Sequence, residues 1–235
     1  MLNQQKFKFE DVDKNFHEAM ANILKLNIPR VDLVHQFPVY TGHVNLARYL
    51  FFYDLYKRVY RLSGHIADVG TWKGPSFMFM AKLVKLFEGY SDTQVYGFDW
   101  FKGMKPSKND DVKQDGIYMS DYSMLVKLIQ LQNLEDTAIL NKLDLTKDLP
   151  KYFKDKPYMR YKFIFIDCGI AKVLDESLKH FWPRLVRGGI LILDHYNSEA
   201  SPAESKILES YIGENKIEHW PITRWPTAFI VKNKK

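Results

Sequence analysis

The chain has 235 residues, 46% of them apolar, a formal net charge of +6 and a single cysteine. That length holds one large domain or two small ones, with enough apolar residues for a substantial core. The longest apolar runs, such as Phe163 to Ile166 and Ile190 to Leu193, are far too short to span a bilayer. The start, Met1 to Glu10, is polar and unlike a signal peptide, and Cys168 alone cannot form an intramolecular disulfide. A cytoplasmic, soluble protein is expected. The pI is about 9.1, but the lysines are scattered among acids and form no block. An ordinary basic surface is the expected reading, with no nucleic-acid partner and no membrane span.

In chain order, Phe16, Met20, Ile23 and Leu24 fall at helical spacing and predict an outer helix, broken at Ile28-Pro29-Arg30. Phe37 to Gly42 reads as a loop. Asn45 is the expected cap of a helix with Leu46, Leu50, Tyr53 and Tyr56 on one face, ending at Ser63-Gly64. Tyr49, Phe51, Phe52 and Tyr53 exceed what one helix face needs, so a homodimer contact is one use for them. Residues 1–62 contain no evident strand and read as a helical cap and lid on 63–235, the whole forming a single compact domain.

From His65 strands alternate with helices. Ile66, Ala67 and Val69 form a first buried strand, followed by a glycine turn and a helix with Phe77, Met80, Ala81, Val84 and Phe87 in register. Gln94 to Asp99 is a second strand and Trp100 to Gly116 a loop. Tyr118 to Leu131 is helical and Thr137 to Leu143 a third strand. Tyr161 to Asp167 is a fourth, followed by a helix carrying Leu174, Leu178, Phe181 and Leu185. Gly188-Gly189 turns the chain into Ile190 to Asp194, a fifth strand. Ser205 to Ile212 is a helix, and Lys216 to His219 and Thr227 to Val231 are closing strands. This alternation predicts an α/β fold with a mostly parallel sheet covered on both faces.

The turn after the first strand carries the first chemical signal. It reads Asp68-x-Gly70-x-x-x-Gly74, with Pro75 suited to a helix's first turn. It is neither the dinucleotide fingerprint Gly-x-Gly-x-x-Gly nor a P-loop. Alone, it fits a structural turn as well as a ligand turn. In open parallel sheets, ligands bind at the carboxyl ends of the strands. Asp68, Asp99, Asp144, Asp167 and Asp194 all lie at or just past such ends, which points to a cleft, with one or two of them expected as helix caps.

The Asp68…Gly74 motif resembles the first motif of class I S-adenosylmethionine-dependent methyltransferases. Tyr96-Gly97-Phe98-Asp99-Trp100-Phe101-Lys102-Gly103 resembles an element of the macrocin O-methyltransferase-like family. Phe37 to Thr41, Asp144…Leu149-Pro150, Ile166-Asp167, Pro183-Arg184 and Gly188-Gly189…Asp194 follow in that family's order. The resemblance implies a Rossmann-like seven-stranded methyltransferase sheet that binds S-adenosylmethionine. It places Asp99 on the ribose hydroxyls, beside Trp100. It has Gly70 let the backbone approach the cofactor, Asp68 organise the turn or bind the amino group of the methionine part, Thr71, Gly74 and Ser76 join the cofactor-binding set, Asp144 lie near the adenine, and Tyr40 and Thr41 sit in a lid. Asp167 would border both cofactor and acceptor, and Asp167 and Asp194 would hold a divalent ion, magnesium in most members.

This chain departs from the family at that site. Where members carry Asp-x-Asp-Leu-Tyr, it has Asp167-Cys168-Gly169-Ile170-Ala171, and where a second acid follows the fifth strand it has His195. His195 is then a ligand favouring manganese, iron or zinc, a general base, or only a polar cleft residue. The catalytic set implied is Asp167 and His195, with Asn197 nearby, and the metal set is Asp167, Asp194 and His195, with magnesium or manganese as the ion. His35, His43 and the Cys168 thiol carry less weight. Trp100, Phe101, Trp182, Trp220 and Trp225 could stack on an acceptor, but packing is the usual role of such rings.

The function implied is methyl transfer from S-adenosylmethionine to a small-molecule hydroxyl, on a sugar or glycoconjugate precursor. An NAD-dependent oxidoreductase on a similar sheet is the alternative, opposed by the missing dinucleotide fingerprint. An RNA methyltransferase lacks any basic–aromatic cluster, and a non-catalytic binding protein of the same fold is the last reading. The acceptor is not legible, because loops 100–117 and 195–204 would build its pocket.

Overall fold

The computed structural model describes residues 10–107, 110, 115–197, 202–223 and 228–233. Helices α1 (Glu10–Ile23), α2 (Arg30–His35), α3 (Phe37–Tyr40) and α4 (His43–Val59) precede the first strand. The alternating part then runs β1 (His65–Val69), α5 (Pro75–Phe87), β2 (Val95–Asp99), α6 (Tyr122–Leu131), β3 (Ala138–Lys142), α7 (Leu149–Asp155), β4 (Tyr161–Ile166) and α8 (Ala171–Phe181). It closes with β5 (Leu185–Leu193), α9 (Pro202–Ile212), β6 (Ile217–His219) and β7 (Ala228–Val231). The strands form one seven-stranded sheet in the order β3-β2-β1-β4-β5-β7-β6. β1 to β5 pair in parallel, and β7 runs antiparallel between β5 and β6. The order reverses between β1 and β4, so the crevice at the sheet's carboxyl edge opens there.

Side-chain alternation along the strands makes two cores. Ile66, Val95, Phe163, Phe165, Ile190 and Ile192 face one side, packed by α4, α5 and α6. Ala67, Val69, Phe98, Ile164, Ile166, Leu191 and Leu193 face the other, with Leu149, Phe153, Leu174, Leu178, Phe181 and Leu208. α4 is therefore a structural layer of the sheet: Phe51, Phe52, Leu55, Tyr56 and Val59 are fully buried. Phe51 stacks on Trp220 at 5.1 Å and Phe52 meets Phe165 edge-on at 4.9 Å, so these rings go into this chain's own core.

The same layer holds a buried ion pair. Lys162 on β4 lies 2.5 Å from Glu88 just past α5, both nearly inaccessible to solvent. Lys162 also donates to the Tyr60 carbonyl and the Thr93 hydroxyl, while Glu88 accepts from Tyr56 and Thr93, each at 2.7 Å. Every member of the network is satisfied, the condition for burying charge without a large penalty.

Several boundaries differ from expectation. Phe37–Tyr40 is a helical turn, not a loop, because Pro38 is tolerated in a helix's first turn. Asn45 does not cap α4: the helix starts at His43 behind Gly42, whose backbone is extended and offers no side chain. α6 starts at Tyr122 because Asp121 caps it, its side chain accepting from Met124 N at 3.1 Å. Gly188 and Gly189 lie inside β5, where the pairing with β4 is irregular, and do not precede it. Trp225 and Thr227 lie outside the described residues.

Candidate active site

The β1–α5 turn is built by close backbone contact. Gly70 has φ +89, and a Cβ there would sit 2.0 Å from the Asp167 carbonyl oxygen. Only glycine lets this turn pass beside the end of β4. Gly74 has φ +83 and a Cβ there would meet Leu125 at 2.8 Å, so α6 presses on the start of α5. The Thr71 hydroxyl donates to the Asp68 carbonyl and accepts from Phe98 N, each at 3.0 Å, which clasps β1 to β2. Ser76 is buried in the first turn of α5.

Two acids beside this turn, Asp68 in β1 and Asp99 at the end of β2, face different conditions. The Asp99 carboxylate accepts from Trp72 N at 2.8 Å and Phe101 N at 2.7 Å. These bonds fix its orientation and leave further acceptor capacity on both oxygens. Burial raises its pKa, and backbone donors from Phe101, Trp72 and Trp100 pull it back. Trp72 adopts a left-handed backbone, φ 49, to deliver its N–H, and its carbonyl accepts from Ser120. Asp68 is 1% exposed and neither carboxylate oxygen has a hydrogen-bond partner among the described residues. Burial pushes its pKa up to about 6; the nearby Ser76 and Thr71 hydroxyls and Arg48 oppose this. Thr71 donates to the Asp68 carbonyl at 3.0 Å and not to its carboxylate.

At the ends of β4 and β5 the chain brings Asp167, Asp194 and His195 together. Asp167 N donates to the Val69 carbonyl at 2.9 Å, so this cluster abuts the β1 turn directly. His195 Nε2 lies 3.1 Å from Asp194 Oδ2 and 4.0 Å from Asp167 Oδ1. One ligand atom from each of the three falls within 4.8 Å of the others. Burial and the neighbouring Asp194 raise the pKa of Asp167, with Arg48 and His195 pulling it down.

Arg48 is the residue that sequence reasoning missed. It extends from α4 and donates through Nη1 to Asp194 Oδ1 at 3.0 Å and through Nη2 to Asp167 Oδ2 at 3.3 Å. Burial alone would lower its pKa, but Asp194 and Asp167 outweigh that and hold it above the usual value. A signal was present: Arg48 is spaced four, seven and eleven residues from Phe52, Leu55 and Val59, which places a cation on the buried stripe of α4.

Other expected residues have local roles. Asp144 accepts from the Thr146 backbone and hydroxyl and pairs with Lys147 at 3.2 Å, as a turn-forming aspartate does. The Trp100 indole donates to the Gly103 carbonyl at 2.5 Å. Tyr40 and Thr41 end α3 half-buried, and the strand-end hydrogen bonds above do not involve them. His35 and His43 are exposed, and His43 packs edge-on against Phe16. Cys168 is half-buried, and burial raises its pKa well above the usual thiol value. Where the second acid of Asp-x-Asp would stand, Gly169 has φ +61, and a Cβ there would lie 2.3 Å from Met104 Cε. Ala171 N donates to the buried Asp110 at 2.8 Å, tying the loop after β2 to the start of α8.

Comparison with known proteins places this geometry in a family. The macrocin-O-methyltransferase (TylF) family model matches residues 54–225. The chain is 28% identical over 145 residues to an 8-demethyl-8-(2,3-dimethoxy-alpha-L-rhamnosyl)-tetracenomycin-C 4'-O-methyltransferase of Streptomyces olivaceus, covering 58% of this chain and 54% of that protein. It is 27% identical over 144 residues to a mycinamicin III 3''-O-methyltransferase of Micromonospora griseorubida, covering 57% and 55%. The chain thus spans about half the length of these curated relatives. In fold it is similar to a calicheamicin methyltransferase, with a TM-score of 0.83 at 19% identity over 97% of this chain and 94% of that one. It is also similar to the O-methyltransferase NovP, at 0.64 and 16% over 83% and 84%. Among the described residues no helix is long and apolar enough to cross a membrane. The seven-stranded α/β sheet is that of the methyltransferases, and the chain belongs to the macrocin-O-methyltransferase family.

Proposed function

We propose that this protein transfers a methyl group from S-adenosylmethionine to a hydroxyl of a sugar, free or carried on a larger product. One observation carries the reading: Asp167, which begins the Asp167–Asp194–His195 cluster, is hydrogen-bonded to the end of β1, beside the Asp68–Gly70 turn. A donor site and an acceptor site therefore adjoin. The relatives' acceptors, a rhamnosyl group on a tetracenomycin and mycinamicin III, support a glycoside as the substrate class.

The residues fit the methyl donor. Asp68 holds two buried oxygens without a hydrogen-bond partner among the described residues, suited to an ammonium group, and Asp99 is oriented by two backbone donors with acceptor capacity left for a pair of hydroxyls. When bound, S-adenosylmethionine supplies a methyl group on a sulfonium. The donor set Asp167, Asp194 and His195 also fits a divalent ion, magnesium or manganese, with two oxygens and one nitrogen within reach of a single centre. Such an ion supplies charge that lowers the pKa of a sugar hydroxyl and helps orient it.

The chain's own residues then do the rest. Asp194 and Asp167, held by Arg48, present oxygens towards the acceptor side of the cleft. In the ion-free site Asp167 is the carboxylate suited to accept the hydroxyl proton, because burial and the Asp194 charge make it a stronger base than a surface carboxylate. The close β1–β4 contact sets the distance between donor and acceptor, which is most of what a displacement at carbon needs.

The test is calorimetric titration with S-adenosylhomocysteine and with NAD, followed by transfer of labelled methyl to rhamnosyl glycosides with manganese, magnesium or EDTA. Micromolar binding of S-adenosylhomocysteine and label on a sugar oxygen are expected. Asp167→Asn and Asp194→Asn should keep that binding and lose turnover. Binding of NAD in place of S-adenosylhomocysteine would refute the reading.

A further inference from the structure

Arg48 belongs to a helix that lies outside the β–turn–α unit of the methyl-donor site. It is 119 residues from Asp167 and 146 from Asp194, yet it contacts both. Its guanidinium carbon lies 5.6 Å from the Phe52 ring centroid and 5.4 Å from that of Phe165. Both rings are buried in the core, so the guanidinium rests on fixed walls.

The division of carboxylate oxygens is the informative detail. Asp194 gives Oδ1 to Arg48, and its Oδ2 lies 3.1 Å from His195 Nε2. Asp167 gives Oδ2 to Arg48, and its Oδ1 lies 4.0 Å from the same nitrogen. Each acid thus has one oxygen held by Arg48 and one turned towards His195. Two carboxylates this close repel, and without a shared cation they would rotate apart. A planar guanidinium can hold two acids with separate N–H groups at set angles, whereas an ammonium is a point charge without that geometry.

We propose that Arg48 is the positioning residue of the acid cluster: by holding the outer oxygen of each acid, it aims both inner oxygens at the region faced by His195 Nε2 and so builds a divalent-cation site. The inference rests on the reading of Asp167, Asp194 and His195 as that site. In this role Arg48 acts through the two acids it holds. It does for two ligands at once what outer-shell partners do singly in metal sites. It also makes the docking of α4 a requirement for assembling the acceptor end of the cleft.

The test uses the full chain saturated with S-adenosylhomocysteine and manganese(II) as probe, with free ion followed by electron paramagnetic resonance. Wild type should bind manganese and Asp194→Asn should not. Arg48→Gln should weaken manganese binding about 10–100-fold while S-adenosylhomocysteine affinity stays within about twofold. Arg48→Lys, which keeps the charge and the stem and so protects folding, should still lose affinity severalfold. Manganese binding in either Arg48 variant equal to or tighter than wild type would overturn the positioning role alone, since Arg48 would then be idle or a competitor for the acids. A wild type that binds S-adenosylhomocysteine but no manganese would overturn the cation site and this role together.

Discussion

Asp68 is predicted to stabilise the unliganded protein when it is replaced by asparagine, and to weaken cofactor binding at the same time. Its side chain is fully buried, with no hydrogen-bond partner for either oxygen among the described residues. Its pKa rises from 3.8 to about 6. A carboxyl whose folded pKa is raised contributes its stability below the unfolded value and loses it as pH rises through the folded one. The window is therefore roughly pH 4 to 6. At pH 8 the ionised form costs about 3 kcal/mol, from about 1.36 kcal/mol for each unit of pKa. Asparagine is isosteric with the neutral acid and escapes that cost. Asp68→Asn should then melt about 6–12 °C higher than wild type at pH 8, at about 2–4 °C per kcal/mol for a chain of this size. The gain should shrink below about 1 kcal/mol at pH 4, where wild type is largely protonated. Affinity for S-adenosylhomocysteine at pH 8 should fall about 10–100-fold, the worth of one charge-assisted hydrogen bond of about 1.5–3 kcal/mol. Scanning fluorimetry at both pH values, with and without S-adenosylhomocysteine, measures all of this. An Asp68→Asn variant that melts below wild type at pH 8, or whose gain is unchanged at pH 4, would refute the reasoning.

Three further outcomes follow from the same geometry. Gly70→Ala places a Cβ 2.0 Å from the Asp167 carbonyl oxygen at φ +89, and should cost at least about 2 kcal/mol and abolish S-adenosylhomocysteine binding; an unchanged melting temperature would count against the close contact. Asp99→Asn turns an acceptor into a donor facing a backbone N–H at 2.7–2.8 Å, and should lower S-adenosylhomocysteine affinity by at least tenfold in calorimetry. Lys162→Met leaves Glu88 buried without its cation, and should cost about 3–5 kcal/mol, or about 6–20 °C in melting temperature. Adding Glu88→Gln should recover part of that loss, and simple additivity in the double variant would show that the pair is not coupled.

The strands were legible because buried parallel strands are short continuous apolar runs, and this chain ends several of them with glycine or aspartate. Pairing between distant elements leaves no such local mark. Arg48 lies on the inward stripe of α4, and the stripe is readable, but its partners lie at the ends of β4 and β5 and a single sequence does not say which acid a buried cation meets. Residue type alone also does not show the local bonds a side chain makes. Asp144 bonds to Thr146 two residues on, and Thr71 bonds to the backbone of β1 and β2. α7 was missed although Leu149 and Pro150 were read, because Pro150 opens a helix as readily as it ends one.

The two halves of the cleft differ in how far along the chain they are gathered. Asp68, Gly70, Gly74 and Asp99 lie within one strand–turn–helix unit and the strand after it, so their arrangement follows from local turn geometry and one parallel pairing. Asp167, Asp194, His195 and Arg48 come from three elements, with Arg48 and Asp194 146 residues apart, and depend on the sheet, α4 and the loops after β4 and β5 together. A change in the second group can therefore alter the acceptor end and leave the donor turn intact. Gly169 shows the local limit on such change. With φ +61 and Met104 Cε 2.3 Å from where a Cβ would stand, a second acid at this position takes a left-handed backbone and requires the end of the Met104 side chain to move. The acids that do remain are held by a residue from α4, so the helix expected as a cap contributes a side chain to the proposed acceptor end.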